Sequence, residues 1–328
     1  DQSLNVLQRV NDFKPISTPV TRNESMGLLG CDLRIHRSTR MELFNWLAQN
    51  GNELAAYTLG EIKLKDANQY SIEQQKLLKR AVASNKARAM ELHGVAEETR
   101  QRADSLYAEA RKLFAMSAQE NNVKAQYALA IIYNKGLGTP ISSAQAIKWF
   151  ERAAKQNYKP AMWELVQLFD QGGTVKKDMA RALRILKQLA DQGDMSAVHK
   201  LGIYYINADG VEQDLEKAGA YFLNPSRQGY PPSQVNLGYY HLQGHGKNGV
   251  DYPEALKWLT LAARQGEMSA QIALGMMHHD GNGLPRDSVK GYEWLLIAEK
   301  TFAFANIRLQ KILAAEKRRL EPLKQIVA

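Results

Sequence analysis

A leucine returns along the middle of this chain with a period that a single globular core would not produce. Leu129, Leu165, Leu201, Leu237 and Leu274 stand 36, 36, 36 and 37 residues apart, each followed by a small residue or valine: Ala130, Val166, Gly202, Gly238 and Gly275. Four residues earlier comes Ala125, Ala161, Ala197, Ser233 or Ala270, and four later Tyr133, Phe169, Tyr205, His241 or His278. Positions i, i+4 and i+8 share one helical stripe, and the small residue beside the leucine lets a second helix approach closely. This stripe defines a helix A.

A second ladder follows. Trp149, Ile185, Tyr221, Trp258 and Trp294 recur at intervals of 36, 36, 37 and 36, with Ala146, Ala182, Ala218, Ala255 or Gly291 three residues before each. This is helix B. Between A and B lie glycine turns such as Gly136-Leu137-Gly138, Gly244-His245-Gly246 and Gly281-Asn282-Gly283, where positive φ reverses the chain after a helix. One hairpin cannot bury its own stripe and must stack on its neighbours. Weaker units precede the five: Ala55 to Gly60 reads as a helix A with Leu77 to Ala83 as its partner, and Ala89 to Leu92 pairs with Tyr107 to Ala118. Residues 41–48 read as an isolated helix B. The expectation is an all-α chain of about seven helix-turn-helix repeats over 41–300. Residues 1–40 form a largely irregular extension, and 301–328 a capping helix carrying Phe304, Ile307, Ile312 and Leu313 and closed off by Pro322.

With its period of 36 to 37, its Ala-x-x-x-Leu-Gly opening, the turn Gly210-Val211-Glu212-Gln213-Asp214 and the closing Ala262-Ala263-Arg264-Gln265-Gly266, the chain resembles the Sel-1-like repeat proteins. These are relatives of the tetratricopeptide repeat. The likeness is strong over 123–300, weaker over 53–122 and absent from 1–40. It implies a right-handed α/α superhelix, a solenoid, that serves as a non-catalytic adaptor for a protein or peptide partner. For a bacterial protein it also implies export to the periplasm or envelope; the chain starts at Asp1, so a signal peptide is out of its view.

The resemblance further implies that helix A lines a concave face, with the positions two before, two after and five after each leucine pointing into it. Those positions hold Tyr127, Ile131 and Asn134; Trp163, Gln167 and Asp170; His199, Ile203 and Ile206; Val235, Tyr239 and Leu242; Ile272, Met276 and His279. So many apolar and histidine side chains on a solvated face mark an interaction surface. Tyr127, Ile131, Trp163, Gln167, His199, Ile203, Tyr239, Met276 and His279 are the candidate partner-binding residues. The competing reading is that tight curvature buries this row between successive A helices.

Other candidate chemistry dissolves into the repeat. Asp178, Asp214, Asp251 and Asp287 recur at 36, 37 and 36, each where an aspartate caps the first turn of a helix B. Ser142 takes the same place, with Gln145 forming a capping box, as Glu254 does after Asp251. His241 and His245 lack the glutamate of a zinc protease motif, and His278 and His279 close a helix A where the dipole favours them. No nucleophile elbow or phosphate loop stands apart from the periodic glycines, so neither an enzyme, a metal nor a cofactor is expected. Cys31 is the only cysteine and forms no intrachain disulfide. Leu28-Leu29-Gly30-Cys31 imitates a lipidation box without the apolar run it needs. No apolar stretch is long enough for a transmembrane helix.

The net charge of +9 is concentrated in three segments. They are Arg34, Arg37 and Arg40; Lys76, Lys79, Arg80, Lys86 and Arg88 with no acid among them; and Arg308, Lys311, Lys317, Arg318, Arg319 and Lys324 against Glu316 and Glu321. No nucleic-acid-binding motif accompanies them, so nucleic acid is not the expected partner. Docking on an anionic envelope polymer or acidic partner is the alternative to groove binding. Finally, Pro225-Ser226 stands where other repeats have Ala153-Ala154 or Ala262-Ala263, and Pro231-Pro232 follows. A proline inside a helix predicts an early end to this helix B and a hinge over 224–232.

Overall fold

A computed structural model describes residues 37–172 and 175–301 of the chain. It holds thirteen helices and, among the described residues, no strand. The expected extension before residue 37 and the capping helix after 301 lie outside the described residues. The chain divides into two compact units, one ending at Met162 and one starting at Trp163.

The first unit contains α1 (Arg37–Gln49), α2 (Glu53–Val82), α3 (Lys86–Gln119), α4 (Val123–Lys135) and α5 (Ser143–Lys155), and ends inside α6 (Lys159–Gln171). The second continues with α7 (Met179–Asp191), α8 (Met195–Asn207), α9 (Leu215–Arg227), α10 (Pro231–Leu242), α11 (Tyr252–Arg264), α12 (Met268–Asp280) and α13 (Ser288–Thr301). In the first unit α1 to α5 each pack on the next in sequence, and in the second so do α7 to α13. Both units are therefore all-α stacks of helix hairpins of the solenoid kind.

The leucine ladder is the core, but on helix B the residues that seal it stand one position after the second ladder: Phe150, Leu186, Phe222, Leu259 and Leu295 are fully buried, whereas Ile185, Tyr221 and Trp294 are only half-buried. All five leucines are at most 2% exposed, and the small residues four positions earlier are fully buried. Burying each leucine contributes about 1.5–3 kcal/mol. The close approach of A to B explains the residue after it: a Cβ placed on Gly238 would stand 2.6 Å from Leu259, and one on Gly275 would stand 3.0 Å from the Gly291 carbonyl. Backbone closes each turn, as the amides of Ser142, Asp178, Asp214, Asp251 and Asp287 donate to the carbonyls of Tyr133, Phe169, Tyr205, His241 and His278. The four aspartates then cap: their side chains accept from the amides of Arg181, Lys217, Glu254 and Lys290 at 2.8–3.0 Å. Ser142 makes no such bond, so that capping box does not form. Glu254 spends its carboxylate on Lys257 and on the Trp258 indole instead of reaching back to Asp251.

Two expectations change. The weak units of 53–119 are not two short hairpins but one long one, 30 residues of α2 against 34 of α3, about 45–50 Å of helix. No glycine or proline interrupts 61–82 or 95–119, so nothing ends these helices early. The early stop at Pro225 is also absent, since α9 runs its full 13 residues to Arg227. Pro225 lies in the last turn, where only one amide is lost. Its carbonyl accepts from Tyr230 N at 2.9 Å, as Ala153 and Ala262 do from Tyr158 and Glu267, so the helix end closes as in its neighbours.

Candidate interaction face

The three rows that helix A was expected to present behave differently once packed. In the first unit Tyr127 is half-buried, its ring 5.8 Å from Phe150 and 5.4 Å from Tyr158; Ile131 and Asn134 are also half-buried. In the second unit the row two before the leucine is spent on joining repeats. Trp163 donates its indole N–H to Asp194 at 3.3 Å, and Asp194 itself caps α8 through the Ala197 amide. His199 Nδ1 lies 2.9 Å from Ser233 Oγ, with the rings of Phe222 and Tyr230 at 5.4 and 5.6 Å. Burial, and after it the Lys200 ammonium, pulls the His199 pKa down to about 4. Val235 and Ile272 complete the row at 8% and 5% exposure.

The row five after the leucine has no exposed member. Asp170 pairs with Lys200 at 2.8 Å; burial raises its pKa, but the hydrogen bond and charge of Lys200 outweigh that and hold it below the usual range. Ile206 and Leu242 are half-buried and lean on the same clusters as Ile203 and Tyr239. His279 is buried against α13, where its backbone is within 3.1 Å of a Cβ placed on Gly291. His279 is therefore a packing residue and not a surface contact, because the glycine pair Gly275–Gly291 draws the two helices together over it.

The row two after the leucine is the one with exposed members. Gln167 is exposed, Ile203 and Tyr239 are half-buried, and Met276 is exposed at 37%. They occupy one register on the four A helices of this unit. Tyr239 is anchored, its hydroxyl donating to the Ser269 carbonyl at 3.2 Å, and burial raises its pKa. A row of graded apolar exposure with one anchored aromatic supports binding rather than chemistry. Among the described residues, no group of three metal-ligating side chains converges.

Reading for apolar periodicity missed a set of glutamines. Gln126, Gln234 and Gln271 are buried and send Nε2 to the carbonyls of Ala118, Ser226 and Ala263, eight residues back, at 3.0–3.2 Å. Gln156 and Gln265 add a second layer, donating to the side-chain oxygens of Gln126 and Gln234 at 2.9 and 2.8 Å. The signal was present as a glutamine directly after the opening small residue in Ala125-Gln126, Ser233-Gln234 and Ala270-Gln271.

The Sel1 repeat family matches five successive stretches, 123–158, 160–194, 196–229, 231–267 and 269–300. Among solved structures, the chain is similar to a Sel1 repeat protein from Oxalobacter formigenes, at 24% identity over 68% of this chain and 96% of that one, TM-score 0.47. It is also similar to a protective antigen with an SLR fold from uropathogenic Escherichia coli, at 23% identity over 90% and 72%, TM-score 0.48. A third is the immunity protein PA5088 of Pseudomonas aeruginosa, at 22% identity over 70% and 82%, TM-score 0.38. Among curated proteins none matches.

Proposed function

Because the chain belongs to the Sel1 repeat family, whose members are generally protein-interaction scaffolds, we propose that it is a non-catalytic adaptor. It holds a protein or peptide partner along the helix-A face of its second unit, outside the bacterial cytoplasm. The observation that carries this reading is the row Gln167, Ile203, Tyr239 and Met276. It is the register with two exposed side chains, Gln167 and Met276, whereas the rows on either side have none. Met276 suits such a face, since its unbranched thioether adapts to varied partners. Tyr239 offers a large area already held in place, so little entropy is lost on binding. Gln167 supplies an amide for a partner's backbone.

A photo-crosslinking amino acid at Gln167 or Met276, in the native host, tests this against one at Leu261 on helix B. Adducts of one defined mass from the two A positions are expected, the Gln167 adduct being reduced at least tenfold by Met276→Asp. Equal adducts from Leu261, or none from either A position, overturn the assignment of the face.

A further inference from the structure

We infer that the tip of the α2–α3 hairpin docks on an anionic phospholipid surface. Outward from Ala67 and Ala103, whose cluster Leu137 still packs against, the hairpin has only a narrow buried face. On α3 the buried residues there are Leu92, Ala96, Thr99 and Ala103, spaced 4, 3 and 4. On α2 Ala67 and Ala81 are buried, with Tyr70, Gln74 and Leu77 half-buried between them. That is the narrow seam of a two-helix coiled coil with one neighbour, unlike the broad stripes of helices inside a stack.

At the far end the composition changes. From Gln74 to Met90 there is no acid, and Lys76, Lys79, Arg80, Lys86 and Arg88 are all exposed. Arg88 pairs with Glu91 at 2.6 Å; no acid partners the other four among the described residues. Lys79 and Arg80, in the last turn of α2, are accounted for by the helix dipole. Lys86 and Arg88 are not. They occupy the first turn of α3, which has no acid, and there the dipole disfavours cations. Lys86 has no acid among the described residues to offset this, and Arg88 has only the exposed pair with Glu91, which contributes little.

Apolar side chains share the tip. Val82 is 87% exposed and Met90 69%, with Ala83 and Ala87 exposed between them. A polyanion such as nucleic acid needs only the cations. A bilayer interface uses both, cations on the headgroups and short apolar side chains at the acyl boundary. This reading is independent of the helix-A face, and crosslinking at Met276 is expected to survive loss of the tip.

The test is co-sedimentation of the full chain with vesicles of 30% phosphatidylglycerol in phosphatidylcholine, and with phosphatidylcholine alone. Each cation near such a surface is worth roughly fivefold in partition, so Lys79→Glu, Arg80→Glu and Lys86→Glu together should cut binding at least a hundredfold. Lys124→Glu, Lys135→Glu and Lys155→Glu, the same charge change on exposed sites of the same unit, should cut it tenfold or less. Val82→Ser with Met90→Ser should weaken binding about tenfold at unchanged charge, every variant keeping its melting temperature. Equal binding to neutral vesicles, or a control as damaging as the tip reversal, overturns the inference. So does indifference to the serine pair, or tighter binding to duplex DNA or polyglutamate than to the anionic vesicles, either of which makes the tip a general polyanion site.

Discussion

Replacing Gln234 by glutamate should give a protein whose stability deficit appears only as the pH rises. Gln234 is 3% exposed; its Nε2 donates to the Ser226 carbonyl at 3.0 Å and its Oε1 accepts from Gln265 at 2.8 Å. A protonated glutamic acid can do both, with its hydroxyl on the carbonyl. A carboxylate cannot donate, and it faces a carbonyl oxygen in a dry site. Burial and that oxygen should raise the folded pKa about 2 units above the unfolded value of about 4.3. The folded pKa being the higher, the acid form is fully tolerated below about pH 4. The penalty grows as pH passes through about 6, where it levels at about 3 kcal/mol. For a unit of this size that is roughly 6–12 °C in melting temperature. Gln234→Met, of similar volume, loses both bonds at every pH. Its cost should be a constant 1–2 kcal/mol, because Ser226 O still accepts from Gly229 N and Gln265 is exposed to water. Thermal melts of both variants and the parent at pH 4 and 7.5 decide it. A glutamate deficit that is the same at both values, or that tracks the methionine variant, refutes the clamp.

Asp214→Ala removes a 2.8 Å cap bond to Lys217 N and should cost about 1 kcal/mol. Ser142→Ala removes none and should leave the urea midpoint unchanged, so equal shifts would contradict the cap geometry. His199, with its pKa lowered to about 4 by burial and then by Lys200, should stay neutral in an NMR titration down to that pH. Because its folded pKa is the lower one, its contribution is whole above about 6.5 and fades as the pH falls towards 4; titration near 6.5 would show the ring to be solvated.

The leucine ladder and the aspartate caps were legible because each depends on residues within one hairpin, where the spacing alone fixes which side chains meet. The helix-B stripe was placed one residue early, since Phe150, Leu186, Phe222, Leu259 and Leu295 carry the burial. The rows of helix A were not, because their exposure depends on how near the next A helix stands. That distance is set by partners 30 or more residues away, as between Trp163 and Asp194, His199 and Ser233, or Tyr239 and Ser269. Gln167 and Gln234 look alike as letters; one is open to water and the other clamps two repeats together. The long hairpin escaped for a related reason. Apolar residues spaced by 3 and 4 suit both a repeat helix and a coiled-coil seam, and only the missing breaks between 61 and 82 separate the two. Pro225 shows the converse error, in which the lost amide was counted and the carbonyl that still closes the helix end was not. A residue that recurs with the repeat is thus assigned to the stack or to a partner by whether a neighbouring repeat already holds its polar atoms. By that criterion His199 and Trp163 belong to the stack, and burial alone places His279 there.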